Sequence, residues 1–279
     1  MVKLDLVAFG HLGMDVLRFG EREVRRPGGS APNTASFIQG LGMKAGIIGR
    51  TGLDEEGKRI LSELEARGVD TSRVRKEGKM PTCHIEVTPE DRKVTLLENI
   101  RPFITLTEED REYLKSSRAV LVGTRLNIFR EVAEFCSANG IALYVTLHVV
   151  SGQRDENVEG LKDLSIRAIL SNEEEAERFK PILKEMAKKG TQVVITKGRE
   201  GCKTLDGKAY PGFRTDVQDP TGAGDAFAAG FIYGDLNGWE TERKCTFANA
   251  MGALASSEAG ARGKARSLGE AESFMEGKA

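Results

Sequence analysis

Asp225 is the carboxylate in this sequence best placed to take a proton from a reacting group. It lies in the run Asp219-Pro220-Thr221-Gly222-Ala223-Gly224-Asp225-Ala226-Phe227-Ala228-Ala229-Gly230-Phe231, where a turn of small residues leads straight into an apolar helix. Small residues let the backbone approach a ligand closely. The first N–H groups of a helix have no intrahelical partner, and with the helix dipole they can hold an anion. A carboxylate beside such an anion hole stands where a transferred phosphoryl group and its attacking hydroxyl would meet. Helix capping is the plain alternative for an Asp at this place.

The sequence holds neither a Walker-type lysine loop nor the protein-kinase motifs. A phosphoryl-transferring chain without them needs another phosphate cradle, and the 222–225 turn is the candidate. Arg25, Arg26 and Arg101 fall in or near segments with strand-like alternation, and their guanidinium forks could read a phosphate already on an acceptor. Solvated surface arginines are the plain alternative. His11 and His84 are expected in the same strand-like segments and His148 near a strand end, each as a packing or surface residue.

These residues need elements to position them. Short apolar runs at Leu4–Phe9, Ala45–Ile48, Ala119–Val122, Ile141–Val145, Ala168–Leu170 and Val193–Thr196 read as buried strands. Amphipathic stretches at Glu55–Arg67, Glu108–Ser116, Phe129–Asn139 and Ile182–Lys189 read as helices. The repeated strand–helix–strand order predicts a doubly wound, mostly parallel sheet covered on both faces. Ligands collect at the carboxyl ends of such strands. Asp15–Arg26, and a hairpin formed by Thr82–Val87 and Lys93–Glu98, alternate without a helix between them. They predict a small antiparallel β lid. Residues 1–10, 33–71 and 106–279 would form the α/β domain, and 11–32 and 72–105 the lid. After Gly222 the chain turns helical, at Ala223–Leu236, at Glu240–Glu258 and near the C-terminus.

The whole chain resembles the ribokinase-like, phosphofructokinase-B-type carbohydrate kinases. The run from Asp219 is similar to their C-terminal signature, and Gly28-Gly29-Ser30-Ala31-Pro32-Asn33-Thr34-Ala35 to their N-terminal one. The resemblance implies a ribokinase-like fold, Asp225 as catalytic base, and Gly222, Ala223 and Gly224 as anion-hole amides. It implies acceptor binding by Asp15, Gly29 and Asn33, with Arg101 as the lid candidate. Thr196, Gly198, Gly201 and Asn249 would bind the nucleotide. Asn172 and Glu175, in an Asn-x-x-Glu pattern, would hold Mg2+ through water, and Asp219 and Thr221 match a monovalent-cation (K+) position of some relatives. ATP or ADP would be the donor and a sugar, polyol, nucleoside or sugar phosphate the acceptor; ribose 1-phosphate with ADP is one alternative pairing. The lid often also forms a homodimer interface in this family. Departures fall on the acceptor side: Gly13 stands where many relatives have Asn, and Tyr144-Val145-Thr146-Leu147-His148 replaces an Asp-x-Asn-x-Arg motif.

Composition agrees with a globular cytoplasmic protein. In 279 residues, 39% are hydrophobic and 30% charged, and the formal net charge is −1. Without a long run of one sign, a nucleic-acid partner is not expected. No apolar stretch approaches a membrane span, and the first residues lack the order of a signal peptide. Cys83, Cys136, Cys202 and Cys245 are too scattered for a metal knuckle or a disulfide framework. Two rival functions stay open at this point. One is a catalytically silent sugar- or nucleoside-binding regulator, which would not need Asp225. The other is a dinucleotide-dependent dehydrogenase, for which the glycine fingerprint after the first strand is missing.

Overall fold

Alternation of apolar side chains places the first strand between two cores. In β1 (Leu4–His11), Leu6 and Ala8 join one hydrophobic cluster while Val7 and Phe9 join the other. The computed structural model describes residues 4–87, 92–100, 105–147, 156–257, 260–262 and 267–277. The chain continues through β2 (Gly13–Phe19), β3 (Arg22–Gly28), α1 (Ser30–Gly40), β4 (Ala45–Thr51), α2 (Glu55–Ala66), β5 (Asp70–Lys76), β6 (Thr82–Val87) and β7 (Arg92–Glu98). Next come α3 (Glu108–Lys115), β8 (Ser117–Gly123), α4 (Phe129–Ala138), β9 (Ala142–Thr146), α5 (Glu156–Glu159) and β10 (Ala168–Asn172). The last part comprises α6 (Glu173–Arg178), α7 (Lys180–Lys188), β11 (Gln192–Thr196), β12 (Gly201–Thr204), β13 (Ala209–Pro211), α8 (Ala223–Leu236), α9 (Thr241–Ser256) and α10 (Leu268–Met275).

Nine strands form the large sheet in the order β13-β12-β11-β10-β9-β8-β1-β4-β5. The strands from β11 to β5 run parallel, and β12 and β13 finish one edge antiparallel. Chain order reverses between β1 and β8, which opens a crevice at their carboxyl ends. The smaller sheet has the order β3-β2-β6-β7; its two hairpins are antiparallel, and β2 lies parallel to β6 where they join.

The expected lid boundaries shift in three places. His11 ends β1 in the large sheet, Ser30 already opens α1, and residues 72–76 complete β5 beside β4. The Ser-Arg-Val-Arg-Lys alternation of that last segment fits a sheet's edge strand as well as a lid strand, so pattern alone could not separate the two.

Helix starts follow local chemistry. Reciprocal capping boxes open α3 (Thr107 with Asp110), α6 (Asn172 with Glu175) and α10 (Ser267 with Glu270). α8 is apolar on every side and buried from Ala226 to Asp235, as expected of a central helix. A Cβ at Gly230 would lie 3.0 Å from the Ala248 Cα, and one at Gly234 would lie 2.6 Å from the Lys244 Cβ, so these glycines let α9 pack tightly against α8. At its far end Asp235 accepts hydrogen bonds from the Tyr144 hydroxyl at 2.6 Å, Arg167 Nε at 2.8 Å and Lys244 Nζ at 2.6 Å. Burial alone would push the Asp235 carboxyl up, but these partners outweigh it and hold it well below the ordinary range. The helix that carries the catalytic candidate is thus clamped along its side and at its end. Among the described residues no helix is long and apolar enough to cross a membrane.

Candidate active site

Gly222 makes the turn before α8 possible. It has φ 81, in the left-handed region, and a Cβ there would collide with the Ala261 carbonyl oxygen. The amide of Ala223 closes back on the Pro220 carbonyl at 3.2 Å, and α8 starts with no side-chain cap. Asp225 therefore lies in the first helical turn without capping it. Its carboxylate instead points across to α1, accepting from Asn33 Nδ2 at 2.7 Å and from the Ser30 hydroxyl. Burial pushes the Asp225 carboxyl above the ordinary aspartate range, while the bonds from Ser30 and Asn33 and the charge of Arg262 pull it back.

Arg262 belongs to no motif and was not found by sequence reasoning. It is 4% exposed, donates from Nε to Asn33 Oδ1 at 3.0 Å, and pairs with Glu63 at 3.3 Å. A relay thus runs Glu63–Arg262–Asn33–Asp225. The only sequence trace of it is a Gly-Ala-Arg step after α9, which is too short to read.

Two cavities flank the 222–225 turn. The first, of about 280 Å³, is lined among others by Gly29, Ser30, Asn33, Gly222 and Asp225, with Asp15, Thr82 and Cys83 from the smaller sheet and Ile100 just past it. The second, of about 570 Å³, is lined by Thr196, Gly198, Gly201, Ala223, Gly224 and Asn249, with Phe213, Arg214 and Phe227. Within one turn of backbone, Gly222 and Asp225 face one cavity while Ala223 and Gly224 face the other. Gly29, at φ 103, brings the chain against the His11 carbonyl, where a Cβ would collide. Gly28 likewise leaves room for the Asp15 carboxylate. Asn249 is 6% exposed and donates to the Tyr210 and Pro211 carbonyls at 2.9 and 3.1 Å, tying α9 to β13 at the rim of the second cavity. Phe213 and Arg214, just past β13, were missed because no spacing in the sequence marks them.

Other expected site residues stand apart. Asn172 and Glu175 serve each other, with Glu175 N–H on Asn172 Oδ1 at 2.8 Å and Asn172 N–H on Glu175 Oε2 at 2.9 Å. Neither lines the two cavities beside the turn, although Asn172 is paired in register with Thr196. The carboxylate of Asp219 accepts Thr221 N–H at 3.0 Å, the Thr221 hydroxyl at 2.6 Å, Gly260 N–H at 3.1 Å and the Arg26 guanidinium. Two oxygens offer about four lone-pair sites, so donors already fill the carboxylate. The positive charge beside Asp219 comes from Arg26.

Two of the three arginines singled out in the sequence are engaged by acids. Arg25 is held by both oxygens of Glu56, at 3.1 and 2.9 Å, and does not line the first cavity. Arg26 is engaged by Asp219, and Arg101 and His148 lie outside the described residues. His11 lines the first cavity, and burial, with the charge of Arg50, lowers its pKa to about 4. His84, in β6, pairs with Glu98 at 2.6 Å.

Comparison with known proteins matches this arrangement to one family. A profile of the pfkB family of carbohydrate kinases matches residues 3–267. An ATP-dependent ribose-1-phosphate kinase of Halopiger xanaduensis is 30% identical, over 92% of this chain and 93% of its own. A 5-dehydro-2-deoxygluconokinase of Clostridium botulinum is 27% identical, over 90% of this chain and 87% of its own. The structure of Arabidopsis thaliana ribokinase complexed with ribose and ATP superposes with a TM-score of 0.78 at 21% identity, covering 98% of both chains. The fold is ribokinase-like, and the chain belongs to the pfkB family of carbohydrate kinases.

Proposed function

We propose that this chain transfers the γ-phosphoryl group of ATP to a hydroxyl of a sugar-type acceptor, with Asp225 as the base. The observation that carries this reading is the 222–225 turn, which presents one residue pair to each of the two cavities. ATP in the larger cavity and acceptor in the smaller would meet across that turn. The acceptor hydroxyl would give its proton to Asp225 as it attacks, and the charge growing on the transferred group would face the uncapped amides of α8. Ser30 and Asn33 fix the carboxylate's orientation, and Arg262 fixes Asn33, so little reorganisation is left for the reacting complex. Asp15 and Gly29 would bind the acceptor, and Thr196, Gly198, Gly201 and Asn249 the nucleotide.

Mg2+ would neutralise phosphate charge. Among the described residues no three His, Cys, Asp or Glu side chains converge as metal ligands, which suits an ion carried by nucleotide and water, with Asn172 and Glu175 acting through water. The smaller sheet would close as a lid that excludes water. Exposed Phe19, Leu96, Leu97 and Ile100 on or beside it support dimerisation through that layer. Four free cysteines are consistent with the cytoplasm.

The relative named ATP-dependent ribose-1-phosphate kinase supports ATP over ADP and puts ribose 1-phosphate first among acceptors. The test is an assay of nucleoside diphosphate or monophosphate release with ATP and with ADP, over ribose 1-phosphate, ribose, fructose and 5-dehydro-2-deoxygluconate. Turnover of at least one acceptor with ATP is expected. A protein that binds a sugar but turns over none of a broad acceptor panel would be a silent regulator instead.

A further inference from the structure

We propose that the crevice between the carboxyl ends of β1 and β8 is an anion subsite for the acceptor, with Arg125 selecting a monophosphorylated sugar. This deepens the function proposed above and rests on it. A third cavity, of about 210 Å³, shares His11, Gly29 and Ser30 with the acceptor cavity, so one bound molecule can extend through both. Its walls include Phe9 to His11 at the end of β1 and Gly123 at the end of β8, where the strand order reverses. Open α/β sheets collect ligands at that kind of crevice.

Charge decides which end of the acceptor goes where. Asp15 and Asp225 both line the acceptor cavity, and among its described lining residues there is no Lys or Arg. A phosphate held beside those carboxylates would be repelled. Arg125 is the one Lys or Arg among the described residues lining either cavity. It is exposed, and no hydrogen bond or ion pair joins it to another described residue. Arg25 and Arg26, by contrast, are engaged by Glu56 and Asp219. A guanidinium fork matches two phosphate oxygens. On the opposite wall α1 begins at Gly29 with no side-chain cap and no acid in its first turn, leaving its positive end toward the same space. An acceptor would then lie with its reacting hydroxyl between Ser30 and Asp225 and its phosphate against Arg125.

The experiment compares wild type, Arg125→Ala and Arg125→Lys on sugar monophosphates and their unphosphorylated parents, beginning with ribose 1-phosphate and ribose. Arg125→Ala should raise the KM of the phosphorylated acceptor by about tenfold or more, with kcat and the ATP KM nearly unchanged. Arg125→Lys should recover part of that loss, and the parents should be poor substrates insensitive to either change. Melting temperatures report whether each variant is folded. A wild type that prefers the neutral parents, or an Arg125→Ala enzyme with unaltered KM for its best phosphorylated acceptor, overturns the subsite. Normal turnover by Asp225→Asn on the same acceptor would instead remove the base assignment and leave the Arg125 comparison standing.

Discussion

The cavity on the Ala223–Gly224 side of the turn is about twice the size of the one on the Gly222–Asp225 side, and the two are built differently. Glycines recur along the larger one: Gly198, Gly201, Gly212, Gly224 and Gly252 all line it. It is made by the large sheet and by α8 and α9, with backbone brought close to the ligand space. The smaller cavity is made by side chains that converge from α1, α8 and the second sheet, segments nearly two hundred residues apart. Backbone recognition suits a donor whose phosphates are always the same. With the roles proposed above, side-chain recognition would let the acceptor change by substitution without rebuilding the phosphate cradle, in keeping with relatives that are named for different sugars.

The largest expected effect breaks the donor side alone. Gly224 has no positive φ, and a Cβ there would meet nothing within 4 Å, so Gly224→Val puts a branched side chain at the larger cavity without straining the fold. Activity with ATP should fall by about 100-fold or more through lost phosphate approach. The melting temperature should hold or rise, since Val is a better helix former than Gly. An active variant would show that this turn does not cradle phosphate.

A smaller effect is expected from the acceptor side. Asn33→Ala removes a hydrogen bond that lowers the Asp225 carboxyl, so that carboxyl should rise further above the ordinary range. The base works only when ionised and activity is lost as pH falls through its pKa. The acidic limb of the kcat/KM profile should therefore move to higher pH, with a loss of about 10- to 100-fold near neutrality, the scale of one hydrogen bond to a charged group. An unmoved limb would separate Asn33 from the base.

The smallest effect concerns the link between the two sheets. Because Arg26 of β3 already fills the Asp219 carboxylate, exchanging K+ for a bulky organic cation at constant ionic strength should change kcat/KM by no more than about twofold. A strict K+ requirement would mean that Arg26 leaves Asp219 in the working enzyme.

The same difference in construction governs what the sequence discloses. Glycine spacing in 222–224 and 196–201 and the apolar run of α8 are local, so the glycine-lined wall of the larger cavity and the parallel sheet are legible from short windows. Arg262 reaches Asn33 across 229 residues, and Arg26 reaches Asp219 across 193. No local period encodes such pairs, so the relay behind Asp225 and the neutralised Asp219 emerge only from the fold. Asn172 and Glu175 teach the converse. One spacing serves both the capping box that the fold forms and the metal-linked motif proposed above. Arg125 follows a strand end in a turn without any motif, and its place on a cavity depends on where β1, β8 and α1 meet.

In the proposed reaction Asp225 takes the acceptor proton across the turn that divides the cavities. Single-turnover phosphoryl transfer by Asp225→Asn, measured beside ATP binding by calorimetry, tests it most directly. ATP affinity should stay within about threefold of wild type and transfer should slow by about 100-fold or more, the usual scale of losing a general base. Wild-type transfer with bound ATP would contradict it and place the base elsewhere.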